Sequence, residues 1–65
     1  MSRRPRLEVI DDLDYGAIVV DHSTRVGYPF LTRASAEACM AEGPKHVAGF
    51  TGTPADYRRA MEAAK

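Results

Sequence analysis

At 65 residues the chain holds one domain at most, and a domain of this size buries only about 60% of the surface its unfolded chain exposes. Its formal charge is zero, nine Lys and Arg against nine Asp and Glu, which argues against a dedicated nucleic-acid binder with a basic excess overall. The single cysteine, Cys39, excludes an internal disulfide and a Cys-x-x-Cys zinc framework, and no apolar stretch approaches the roughly 18 residues of a membrane span.

The chain opens on a basic segment in which Arg3, Arg4 and Arg6 surround Pro5, with no acid before Glu8. Residues 1–5 have nothing to bury and read as a flexible arm ahead of a single domain over 6–65. The segment after the arm is acidic rather than apolar, so it does not read as a signal peptide.

From Arg6 to Asp11, Leu7 and Val9 alternate with Glu8, as in a half-buried strand. Asp12-Leu13-Asp14-Tyr15-Gly16 is turn chemistry. Gly16 to Asp21 carries Ala17, Ile18, Val19 and Val20, short and mostly β-branched, and reads as a central strand closing a hairpin. After the His22–Arg25 turn, Val26 to Leu31 suggests a third strand, which Pro29 confines to an edge.

A first helix is predicted over 33–42, capped by Thr32 and stopped by Gly43 with Pro44 behind it. Ala34, Ala38 and Ala41 form its smooth stripe, with Leu31 leading in. Residues 46–50 fit either a short strand or an extended connection. A second helix is predicted over 54–64, because Thr53-Pro54-Ala55-Asp56 sets a hydroxyl at the N-cap, proline at the first position and Asp56 at the positive end of the dipole. Tyr57, Ala60, Met61 and Ala64 form its apolar side. The expected fold is α+β: a hairpin or three-stranded antiparallel sheet packed by two helices, with Val9, Ile18, Val20, Leu31 and Ala38 inward.

No catalytic constellation emerges. Cys39 lies within an alanine-rich helix, away from any activating cation, and reads as packing. Asp21 and His22 are adjacent at a turn, an ordinary surface pairing. Asp12-x-Asp14-x-Gly16 lacks the later ligands and closing glutamate of a calcium loop, and His22 and His46 stand far apart in the chain, so no metal is expected. Gly49 to Pro54 leads into a helix but lacks the Lys-Ser/Thr ending of a nucleotide loop. No cofactor is expected.

Seven Arg against two Lys, ten Ala, and no Asn, Gln or Trp give the chain the style of small proteins from GC-rich bacteria and their phages. Three strands, a basic arm and the Phe30-Leu31-Thr32-Arg33-Ala34 junction into an alanine-rich helix resemble the arm-type DNA-binding domains of phage integrases over residues 3–42. That resemblance implies DNA contact through the arm, against which stand Glu8, Asp11, Asp12, Asp14 and Asp21 on the hairpin, since acids repel phosphate. The expectation is a non-enzymatic protein-interaction module, a regulator, inhibitor or structural component that docks on a larger assembly or on itself. The alternative is a DNA-binding accessory protein. Expected contact residues are Arg3, Arg4, Arg6, Tyr15, Tyr28, Phe30 and Phe50, aromatic and arginine side chains being frequent interface anchors. The expected location is the cytoplasm or the interior of an assembled phage particle.

Overall fold

A computed structural model describes residues 5–12 and 16–64. Three strands, β1 (Leu7–Asp12), β2 (Gly16–Asp21) and β3 (Val26–Phe30), form an antiparallel sheet in the order β1-β2-β3. Leu7 pairs with Asp21, Ile10 with Ile18, and Val19 with Tyr28. Residues paired across antiparallel strands share a face, so this register sorts every side chain to one of two sides. Helices α1 (Arg33–Ala41) and α2 (Pro44–Ala48) cover one side, and α3 (Pro54–Ala63) covers the other. The fold is therefore small and α+β, with β2 as its middle layer.

On the α1 and α2 side, Leu7, Ala17, Val19 and Tyr28 meet Ala36, Cys39 and Val47, with Val9, Phe30 and Met40 packed around them. On the α3 side, Ile10, Ile18 and Val20 meet Ala60, flanked by Tyr57 and Met61. Ile18 and Val20 are buried as expected, but under α3 and not under the first helix. The unbroken apolar run Ala17–Val20 has water on neither side, which is the pattern of a strand covered twice.

Four expectations are corrected here. Ala34, Ala38 and Ala41 are exposed, while Ala36 and Cys39 turn inward with Met40 beside them. Alanine methyls differ little from one position to the next, so the larger Cys39 and Met40 decide which face is buried. Leu31 is 87% exposed, because β3 ends at Phe30 and that ring takes the inward position before α1 begins. Residues 46–50 form no strand: Pro44 starts the short helix α2 at its first position, and the Gly43 carbonyl accepts from the Val47 amide at 3.1 Å. That turn delivers Val47, fully buried, to the core. Ala64 lies beyond the end of α3 and is exposed.

The caps behave as the sequence suggests. Thr32 Oγ1 accepts from the Ser35 amide, and Thr53 Oγ1 accepts from the Asp56 amide, both at 3.1 Å. Thr53 also donates its hydroxyl proton to Asp56 Oδ2 at 2.9 Å. The cap is locked to the sheet as well, since Gly27 and Thr53 exchange two backbone hydrogen bonds of 3.0 Å. The Gly27 amide therefore points away from β2, and Pro29, two residues on, has its missing N–H on that same outer side. This is why proline is tolerated in β3. Gly27 is required by proximity: a Cβ there would sit 2.6 Å from the Tyr57 backbone nitrogen.

Val20 offers the sharpest test of this layering. It is fully buried between β1, β3 and α3, so Val20→Asp places a charge where no partner exists, at a penalty of several kcal/mol, comparable to the stability of a small domain. The variant is expected to lose its circular-dichroism melting transition. An unchanged melting curve would mean that β2 is not covered on the α3 side.

Candidate functional site

At the end of the sheet where β2 turns into β3, three elements bring polar side chains together. Asp21, the last residue of β2, is 3% exposed. Its carboxylate accepts from Arg6 Nε at 3.2 Å and Arg6 Nη2 at 3.3 Å, and from the Ser23 and Thr24 amides at 2.9 and 3.4 Å. Burial pushes the Asp21 carboxyl up, but the Arg6 hydrogen bonds, the two amides and the guanidinium charge together outweigh it and hold the group below its ordinary value. Arg6 is therefore part of the fold, closing the turn, and not a free member of the arm.

Next to this turn His22 bridges the sheet and α3. Its Nε2 lies 2.8 Å from Glu8 Oε1 on β1, and its Nδ1 lies 2.9 Å from the Tyr57 hydroxyl on α3. A carboxylate only accepts, so with a neutral imidazole Nε2 carries the proton and Nδ1 accepts from Tyr57. His22 pairs with Glu8 and Tyr57, and not with the neighbouring Asp21. The chain Glu8–His22–Tyr57 links residues 14 and 35 positions apart in sequence. The Asp21–His22 juxtaposition carried no signal for it, because the two side chains lie on opposite sides of the pleat.

Tyr57 also borders a concavity of about 430 Å³ shared with Arg25, Pro54 and Arg58. Arg25 has φ +60°, the left-handed region that favours glycine, and its amide donates to the Asp21 carbonyl at 2.7 Å to close the turn. Neither the Arg25 nor the Arg58 guanidinium has a hydrogen-bond or ion-pair partner among the described residues. Arg33, by contrast, is tied to Asp11 at 2.7 Å and to Glu37 at 3.0 Å.

The second candidate surface lies across the sheet. Phe30, Ser35, Ala38, Cys39, His46 and Phe50 line an open groove of about 590 Å³, with Glu42 at its rim. Phe50 is 44% exposed and packs at 5.3 Å from Phe30 and 5.4 Å from His46, ring centre to ring centre. Burial pushes the Cys39 thiol up and the Glu42 charge adds to this, so Cys39 is a wall of the groove and not an activated nucleophile.

Of the expected contact residues, the structure brings Phe30 and Phe50 together. Tyr28, expected at an interface, is 7% exposed and belongs to the core, because its position opposite Val19 turns it under α1. Arg3, Arg4 and Tyr15 lie outside the described residues. Comparison of the chain with protein-family models, with curated proteins and with solved structures finds no match, so the site is read from its own geometry.

The Arg6–Asp21 pair makes a pH-dependent contribution of definite sign. A folded-state pKa held below 3.8 contributes stability that is fully present above that value and is lost as pH falls through the folded value. The stability difference between the wild type and Asp21→Asn is expected to be largest near neutral pH. It should shrink below about pH 4 in urea titrations, and a gap independent of pH would show that Arg6 does not stabilise the turn through charge.

Proposed function

We propose that this is a non-enzymatic protein-interaction domain that docks through the Phe30–His46–Phe50 groove, as a regulator or as a component of a larger assembly. The observation that carries this reading is the aromatic cluster. Phe50 meets the ring of Phe30 at a tilt and that of His46 edge-on, yet it remains nearly half exposed at the groove. Large exposed apolar side chains gathered around a concave surface are the usual mark of a contact site. The groove is walled by α1, α2 and the end of β3, elements whose inner faces already serve the core, so its outer face is available at no expense to the fold.

The experiment is a comparison of the wild type with Phe50→Ser. Phe50 is outside the buried clusters, so the melting temperature should change little. Self-association measured by light scattering, or a partner retained from host lysate, should be lost in the variant. Equal retention by both proteins would remove the groove from consideration.

A second reading, a DNA-binding accessory role for the arginine arm, is favoured by the distribution of charge. Asp11 lies at one end of the sheet, about 17 Å along β1 from the end where Arg6, Arg25 and Arg58 lie. Asp11 is moreover neutralised by Arg33. Both sheet faces are covered by helices, so DNA contact would fall to the arm and the basic end. Deleting residues 2–5 removes Arg3 and Arg4 but leaves the Arg6–Asp21 pair intact. On this reading the truncated protein melts normally, and its log affinity for duplex DNA depends less steeply on log salt, by up to about two phosphate contacts. Unchanged DNA affinity at low salt would overturn it.

A further inference from the structure

On the opposite side of the sheet from the aromatic groove, the concavity formed by Arg25, Pro54, Tyr57 and Arg58 has no role in the docking reading. We propose that it is a binding site for the phosphate group of a small phosphomonoester. Two guanidinium groups from separate elements, the β2–β3 turn and α3, border the same space. Among the described residues neither has a partner, and none that lines the pocket is a carboxylate. Like charges placed around one cavity repel, and an anion between them converts that repulsion into attraction. Guanidinium forks suit phosphate oxygens, to which each can donate two hydrogen bonds at once.

The backbone of Arg25 supplies an independent indication. A turn that needs φ +60° is made more easily by glycine, and an arginine there holds the chain in a conformation that side chains disfavour. Such a residue at the rim of a charged pocket is the kind of local strain found where a side chain is needed for binding. The walls are also built to stay in place. Tyr57 is anchored by His22, itself held by Glu8, and Pro54 is fixed by the Thr53 cap and its two hydrogen bonds to Gly27. Asp56, on the same helical turn as the pocket, does not line it, and its carboxylate is engaged by the Thr53 hydroxyl. The positive end of the α3 dipole adds to the field without defining the site. A volume of about 430 Å³ lies in the range of small-molecule sites, and a concavity of this size fits a single phosphate with a small organic group better than an extended nucleic-acid backbone.

The test is a titration of isotope-labelled protein, followed by backbone amide and arginine side-chain resonances, with inorganic phosphate and with adenosine monophosphate. Sodium chloride at matched ionic strength is the control, and duplex DNA forms a separate arm. Saturable shifts are expected at Arg25, Tyr57 and Arg58 with both phosphate probes. Arg58→Ala and Arg25→Gly should each weaken binding roughly tenfold, the loss corresponding to one charged hydrogen-bonding partner. Arg58→Lys should restore only part of the affinity, since it keeps the charge and loses the fork. Lys45→Ala, with the same change in net charge but on α2, should leave binding unchanged. Arg25→Gly also separates site from scaffold, because it relieves the positive φ and should melt at the same temperature as the wild type or higher. The proposal is overturned if chloride reproduces the shifts, if Lys45→Ala weakens binding as much as the pocket variants do, or if duplex DNA alone produces them.

Discussion

Strand β2 lies between two layers of helix, and every one of its side chains from Ala17 to Asp21 is buried. A hairpin of this length is marginal alone, and each helix is too short to persist without a surface to cover. The three layers therefore stabilise one another only through β2, which lends alternate side chains to the two cores. Ala17 and Val19 serve α1 and α2; Ile18 and Val20 serve α3. Neither helix layer can be removed without exposing half of this strand.

Double burial also explains where polar groups are allowed. With both sheet faces occupied, charge is confined to the strand ends and the helix surfaces, and each group that enters the interior is met. Asp21 is met by Arg6 and two turn amides, and His22 by Glu8 and Tyr57. No buried side-chain nitrogen or oxygen among the described residues lacks a partner. These ties close the end of the molecule where β1 begins, β2 turns and α3 starts. Against that background of satisfied groups, Arg25 and Arg58 stand out as cations left facing a cavity, and Phe50 and Leu31 as apolar side chains left facing solvent. The two surfaces lie on opposite sides of the sheet, so docking at one and anion binding at the other are sterically independent.

Local chemistry was legible wherever a few neighbouring residues decide the outcome. Thr53-Pro54-Ala55-Asp56 specified the start of α3, Thr32 that of α1, and Pro29 the edge position of β3, because a capping hydroxyl and a proline ring act on backbone groups within a turn of themselves. The apolar run of β2 identified a central strand for the same reason. What it left open was which helix each half of the run would meet.

The tertiary structure decided the rest. The buried face of α1 could not be chosen from alanines of nearly equal size, and it follows Cys39 and Met40 only because a sheet is there to receive them. Val47 lies in a segment whose alternation suits a strand, and it is drawn into a helical turn because Gly43 and Pro44 let the chain deliver it to the core. Neither the Glu8–His22–Tyr57 chain nor the Arg25–Arg58 pocket has any mark in the sequence, since their members come from elements far apart in the chain. The sequence by itself determined the elements and their ends, because capping, turn and strand preferences are short-range. Sidedness and the candidate sites were decided by the packing of α3 against β2, a contact between residues some forty positions apart.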